Sequence, residues 1–289
     1  MPKVSVVVPA YNHHAYIGEA IQSIIDGDFN DLEVIVVDDG SSDSTRLEVA
    51  KFPKVKYFYQ DNSGAHAAIN AGISKCTGEF IAILNDDDIF LHNHLRQAVL
   101  NMENFGNDLY VGKAEIFGYG TKFASLKGHV KASDFAIAEY GYMQSLFKIN
   151  WSLSTSSFVF KNSLFTALDG FRHYKMCHDL DFLLRAVFLE KVNFGVSLDP
   201  TWQYRCHESN SGSSIAFIQQ QFEILFVIYQ LFRELDYDCT SLKFNQLINY
   251  GIPTKMIDFF SHLNLDEVFQ SNDDIQSRVQ LLVTQYTNS

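Results

Sequence analysis

Residues 77–88 read TGEFIAILNDDD, and residues 35–45 read IVVDDGSSDST. Each is a short apolar run closed at once by carboxylates. The run Phe80–Leu84 has the length of a strand, and a continuous apolar run of that length reads as a strand buried on both faces. It ends in Asn85-Asp86-Asp87-Asp88. Glu33–Val37 repeats the pattern and ends in Asp38-Asp39-Gly40; Val4–Val8 stops at Pro9, and Val55–Tyr59 is a further strand. Between them Tyr16–Ile25 sets Ile17, Ala20, Ile21, Ile24 and Ile25 at helical spacing. Ser42-Asp43-Ser44-Thr45 has the composition of a helix N-cap, and Ala65–Ser74 reads as a helix. Strand and helix signals alternating over short connections predict an α/β fold with a mainly parallel sheet flanked by helices.

Farther along, Tyr110–Tyr119 predicts one or two strands, and residues 120–150 read as loops over one face. Ser157–Phe160 reads as a strand, Leu164–Leu168 as a short helix, and Asp179–Phe188 as an amphipathic helix with Leu180, Leu183, Leu184 and Val187 on one side. Ile215–Leu235 is a long helix dense in Phe, Ile and Leu, with shorter helices expected to the C-terminus. A boundary near Ser214 divides the chain into residues 1–214 and a C-terminal helical extension, 215–289. The aromatic stripe of the long helix reads as core or as a dimer surface.

The 289 residues hold 47% hydrophobic and 19% charged side chains, which excludes disorder for most of the chain. The formal charge of -12 leaves no general attraction for nucleic acid or anionic lipid. Cys76, Cys177, Cys206 and Cys239 form no CxxC pair, and the N-terminus MPKVSVVVPAYN lacks a cleavage pattern. Reduced thiols in a cytoplasmic protein are expected. No run reaches the roughly 18 apolar residues of a membrane span.

In an open α/β sheet, ligands bind beyond the carboxyl ends of the strands. The carboxylates of Asp38-Asp39 and Asp86-Asp87-Asp88 are predicted there. Adjacent ionised carboxylates repel, and a divalent cation shared with a diphosphate relieves them. The alternative for the DDD run alone is a solvated acidic loop.

VSVVVPAYN, IVVDDGSSDST, NSGAHAAINAGI and TGEFIAILNDDD, followed by LDGFR, HDLDFLLR and YRCHESNSGS, resemble in order and spacing the inverting glycosyltransferases of family 2. The resemblance covers roughly residues 3–213. It implies the GT-A (Rossmann-like) fold, a nucleotide-sugar donor of the UDP class and Mn2+ or Mg2+ as cofactor. The acceptor it implies is a glycan or lipid-linked glycan, as in polysaccharide synthesis. By the same resemblance Pro9, Ala10, Tyr11 and Asn12 form the loop against the nucleotide base, Asp39 holds the uracil or ribose, and Asp86 lies near the ribose or donor sugar. The metal falls to Asp87 or to Asp88, according to whether Asn85 or Asp86 begins the DxD motif. Asp179 is the implied general base. Arg205 and His207 would face the diphosphate, with His207 a further metal ligand. His178 stands where relatives carry Glu, Ile69 where many carry Arg, and Gly27 where Gln is frequent. His178, Asp181 and Trp151 are acceptor-side candidates, with a structural role the alternative for Asp181 and a core position for Trp151 and Trp202. His13 and His14 read as solvent-exposed or rim residues; His92 and His94 point different ways. Peripheral contact at the inner face of a membrane and a homodimer through the C-terminal helices are open expectations. A sugar nucleotidyltransferase, or a degenerate module that binds nucleotide sugar or glycan, are the competing readings. PAYNHH after the first strand lacks the Gly and Lys of a triphosphate-binding loop, and the intact Asp179 and DDD run weigh against a degenerate module.

Overall fold

Strand β1 (Val4–Ala10) is buried at every position and lies at the centre of the N-terminal half. Val4, Val6 and Val8 point into one hydrophobic layer and Val7 into the other, the period-two alternation of a strand covered on both faces. It pairs in parallel with β2 (Leu32–Asp38) and β4 (Phe80–Ile83), and β2 pairs in parallel with the edge strand β3 (Lys56–Tyr59). The computed structural model describes residues 1–208, 214–236 and 274–288. Cys239, residues 209–213 of the last sequence block and most of the expected C-terminal helices lie outside those residues.

The sheet is mixed. Its eight strands run β3-β2-β1-β4-β7-β6-β8-β5, with β5 (Ile89–Phe90), β6 (Leu109–Gly118), β7 (Phe158–Lys161) and β8 (Phe194–Cys206) completing it. β7 is antiparallel to both β4 and β6, β5 is antiparallel to β8, and β6 and β8 are parallel. The carboxyl ends of β1, β2, β4, β6 and β8 therefore share one edge of the sheet. The register of β6 against β8 shifts around Lys113, where Val111 pairs with Val196 but Lys113 with Pro200. This bulge absorbs Asp199-Pro200, a pair that a regular central strand would not hold.

Helices α1 (Ile17–Ile25), α2 (Thr45–Val49) and α4 (His94–Phe105) cover one face, and α3 (Ala65–Ile73), α6 (Asn162–Ala167) and α7 (His178–Phe188) the other. Gly72 lets α3 lie close on β1: a Cβ there would meet Val7 Cγ1 at 2.4 Å. The second layer continues into α8 (Ser214–Glu234) and α9 (Ile275–Asn288), where Phe222, Leu225, Phe226, Tyr229 and Val279 join Phe158, Phe182 and Leu183 in one core. Each such fully buried side chain stabilises the fold by about 1.5–3 kcal/mol. These α8 rings are core, which takes up the stripe that also read as a dimer surface.

Residues 120–150 correct the sequence expectation. They are not loops: α5 (Phe123–Ser145) runs through them, broken in conformation at Gly141 (φ 73°). Its buried residues are Ser133, Ala136 and Ser145, so its inward face is small and polar and carries no apolar stripe.

Candidate active site

The loop after β1 is tied to the end of β4. Tyr11 N donates to Asp86 Oδ2 (2.9 Å), and His13 Nδ1 lies 2.7 Å from Asp86 Oδ1. Asn12 adopts φ 54°, a left-handed turn that Asn tolerates, and its Oδ1 accepts from Ser42 N at 2.8 Å. Pro9 and Ala10 belong to β1, and the Tyr11 ring is exposed at the rim. The PAYN loop, the turn after β2 and Asp86 therefore meet at one place.

Asp38 and Asp39 are both buried. Asp38 accepts from Ser41 N (2.8 Å) and Tyr57 Oη (2.6 Å) and holds the turn. Asp39 accepts from Gln60 Nε2 (2.7 Å), Ser63 N (2.9 Å) and Gly64 N (2.8 Å). It thereby fixes the start of α3, where Gly64 takes φ 91°.

The three carboxylates after β4 separate by role. Asp88 is buried, with Oδ2 accepting from Ser156 Oγ (2.6 Å) and Oδ1 from Arg205 N (3.0 Å). Both its oxygens are engaged, and it is not part of the group formed by His13, Asp87 and His207. Asn85 is likewise bound to Ser154, Thr155 and Ser156. Asp87 points elsewhere: its Oδ2 lies 3.0 Å from His207 Nε2. His13, Asp87 and His207 each bring one ligand atom within 4.8 Å of the others, the one such group among the described residues. Two imidazoles and a carboxylate are a donor set for a divalent ion of Mn2+ type. His13 also has a carboxylate on its other side, Asp86 on Nδ1, the outer-shell partner typical of metal-binding imidazoles. The residues fit a cation. Burial works against charge on His13, but the hydrogen bond and charge of Asp86 prevail and push its pKa up to about 9. Burial pushes Asp86 up to about 6; without a cation His13 therefore carries a proton at neutral pH, and a cation would bind His13 only by displacing it.

The Arg205 guanidinium is engaged by neighbouring elements. Its Nε donates to Asp87 O (2.7 Å), its Nη2 to Glu19 Oε2 (2.6 Å), and the group packs over Tyr16 and Phe117. It braces the end of β4 against α1.

Asp179 stands in the first turn of α7, where the helix dipole favours a carboxylate. It is 6% exposed. Asn150 Nδ2 donates to its Oδ2 at 2.8 Å, while its Oδ1 is buried with no partner. Burial raises its pKa above the ordinary carboxylate value; the neighbouring His178 and the Asn150 bond oppose the shift. Such a carboxylate is a stronger base than a solvated one. Burial and then the charges of Asp88, Asp87 and, more weakly, Asp179 all push up the phenol pKa of Tyr204, near the end of β8.

The acceptor candidates divide. Asp181 is 2% exposed and is bound by Arg185 Nε (2.8 Å) and Arg172 Nη1 (3.4 Å), so its structural alternative holds and the acceptor reading falls. His178 is half-buried, with an unpartnered Nδ1. Trp151 donates Nε1 to Tyr142 O (2.9 Å) and lines an open cavity of about 130 Å³ between α5, β6 and β8. His129 lines the same cavity and bonds Asn150 O at 2.9 Å, which places the cavity two hydrogen-bonded contacts from Asp179. Trp202 is fully buried core. Sequence reasoning missed His13, although its place directly after the loop of β1 was the available signal.

Residues 5–168, more than half of the chain, match the family model described as glycosyl transferase family 2. The chain belongs to this family. A relative of this family 2 chain, the GalNAc(5)-diNAcBac-PP-undecaprenol beta-1,3-glucosyltransferase of Campylobacter jejuni, is 34% identical over 161 residues, covering 51% of this chain and 52% of the relative. The chain thus spans about half the length of that curated relative. Among solved structures, S. aureus TarS 1-349 in complex with UDP-GlcNAc superposes with a TM-score of 0.58 at 20% identity, over 98% of this chain and 80% of that one. Glucosyl-3-phosphoglycerate synthase of Mycobacterium tuberculosis, in complex with Mn2+, UDP and glucosyl-3-phosphoglycerate, gives 0.54 at 16% identity, over 84% of this chain and 83% of that one. At these identities the likeness is one of fold, and the family 2 chain has the GT-A fold. Among its described residues no helix is long and apolar enough to cross a membrane.

Proposed function

We propose that this chain transfers a sugar from a nucleotide-sugar donor, of the UDP class, to a hydroxyl of a saccharide or lipid-linked glycan, with inversion at the anomeric carbon. Two observations carry the reading: Asp179 Oδ1 is a buried carboxylate oxygen without a partner, and the His13, Asp87 and His207 ligand atoms gather within 4.8 Å of one another.

The exposed Tyr11 ring and the turn after β2 receive the nucleotide. His13, Asp87 and His207 would hold a divalent cation, Mn2+ in preference to Mg2+ because two of the three donors are imidazoles. A cation bound there supplies charge neutralisation for the departing diphosphate. Asp179 Oδ1 takes the proton of the acceptor hydroxyl while that oxygen bonds to the anomeric carbon. The bond from that carbon to the phosphate oxygen breaks, and the nucleoside diphosphate leaves with the electron pair. Attack from the side opposite the leaving group inverts the centre. Asn150 holds Oδ2 so that Oδ1 faces the hydroxyl. The cavity lined by Trp151 and Tyr142 is the acceptor side, where a sugar ring can stack on aromatic faces.

A panel of nucleotide sugars, incubated with Mn2+ and simple glycosides and followed by proton NMR, tests this. The expected product has inverted anomeric configuration, and Asp179→Asn abolishes its formation while leaving nucleotide binding intact. A retained configuration, or full transfer by Asp179→Asn, would overturn the reading.

A further inference from the structure

Glu223 lies on α8, outside the segment that matches the family model, and is fully buried. Its carboxylate faces three consecutive backbone N–H groups in the segment leading into α7. Lys175 N donates to Oε1 (3.2 Å), and Met176 N (2.7 Å) and Cys177 N (3.1 Å) donate to Oε2. Gln219 Nε2 (3.3 Å) and Gln276 Nε2 (3.1 Å), from α8 and α9, also donate to Oε1. A buried carboxylate is tolerable only when its oxygens are met by donors in this way, and backbone N–H groups without an acceptor would be equally costly.

The other end of the same segment is clasped by α3. Asn70 Nδ2 donates to Phe171 O (2.8 Å), and Phe171 N donates to Asn70 Oδ1 (2.9 Å). Between these anchors Arg172 Nη2 reaches Glu234 Oε1 (2.6 Å), and Gln276 Nε2 reaches His173 O (3.3 Å). Residues 171–177 are therefore pinned along their length, and the next turn of chain carries His178 and Asp179. Asn150 holds Oδ2 of Asp179, and the backbone N–H groups of Asp179 and Leu180 act on the same carboxylate. The place of the unpartnered Oδ1 is set by the backbone on which it stands.

We propose that Glu223 is a positioning residue for Asp179: the α8 carboxylate fixes the backbone that delivers the base oxygen to the acceptor hydroxyl. The inference rests on the reading of Asp179 as the base. It makes the C-terminal helices part of the transfer apparatus, although they touch neither the nucleotide loop nor the cation group through any contact described above.

The test uses the full chain with Glu223→Ala, Glu223→Gln and, in parallel, Asp179→Asn. Donor turnover with Mn2+, UDP affinity by calorimetry and the pH profile of kcat are measured for each. Glu223→Ala is expected to lower kcat by about 10²-fold, the scale of a misplaced catalytic group. UDP affinity should stay unchanged and the acidic limb of the pH profile should move. Glu223→Gln, which keeps one acceptor oxygen, should fall between Glu223→Ala and the parent; it also serves should the alanine variant fail to fold. Parent-like kcat in Glu223→Gln and in any folded Glu223→Ala, with Asp179→Asn inactive, would overturn this inference alone. A loss of kcat matched by an equal loss of UDP affinity, with an unmoved pH profile, would overturn it in favour of a merely structural role. Full activity of Asp179→Asn would overturn both readings.

Discussion

His13 Nδ1 and Asp86 Oδ1 lie 2.7 Å apart, joining the loop after β1 to the end of β4 across 73 positions of sequence. Through this pair one wall of the cleft holds a ring of the candidate cation group in place. His13→Ala should therefore weaken Mn2+ binding, read by the loss of the free-ion signal in electron paramagnetic resonance. An unchanged binding isotherm would remove His13 from the group.

Asp87 and Asp88 should separate cleanly. Asp87→Asn is expected to lose Mn2+-dependent UDP binding with little change in Tm, because Asp87 is partly open and bound mainly to His207. Asp88→Ala should do the reverse. It strands Ser156 Oγ and the Arg205 amide in the interior, at a cost of about 1–3 kcal/mol. Calorimetric titration and thermal melts on both variants decide between the two roles.

The pH dependence of turnover follows from Asp179. Its folded pKa is raised by burial, so the ionised, base-competent form is lost as pH falls, and lost earlier than for a solvated carboxylate. The acidic limb of kcat should lie above the ordinary carboxylate range. A limb at the value of a free aspartate would exclude a desolvated base.

At the opposite edge of the sheet, Glu33 accepts from Ser5 Oγ (2.6 Å), Thr77 N and Oγ1 (2.7 Å each) and Lys56 Nζ (2.6 Å). Burial alone would raise its pKa, but these donors bring it down to about 2 from the ordinary 4.5. The folded value is depressed, so the stabilisation is complete above pH 4.5 and lost as pH falls toward 2. In Glu33→Gln, Tm should drop at neutral pH and the difference from the parent should shrink on acidification. A constant difference would mean that the charge is not its source.

Arg185 is 2% exposed and holds Asp181, Leu168 O and Gly170 O together. Arg185→Leu removes one partner of a buried ion pair and should cost about 3–5 kcal/mol in a urea melt. A near-neutral change would show that Arg172 alone compensates Asp181.

Strands β1, β2 and β4 were legible because both their faces are buried, which writes an uninterrupted apolar run ending in acids. β8 was not, since Asp199-Pro200 at its bulge reads as a turn. Helix α5 escaped for the opposite reason: Ser133, Ala136 and Ser145 face inward, and Phe135 and Tyr140 outward. Of the candidate site, Asp87 and His207 come together with His13, and Asp179 is buried in the first turn of α7. Asp88, Asp181 and Arg205 are each engaged by neighbours outside their own elements, a distinction that spacing does not encode. Glu223 did leave a trace, a single acid within the apolar run of α8.

Because α6, α7, α8 and α9 interdigitate in one layer, recombination between relatives has its natural seam upstream of α6. A crossover at Ser214 would set one parent's α7 rings against another's α8 and break their fit. Exchanging the block from Asn162 onward keeps the contacts among these four helices together, and leaves those of Phe158, Phe160 and Asn70 with the block as the ones the two parents must share.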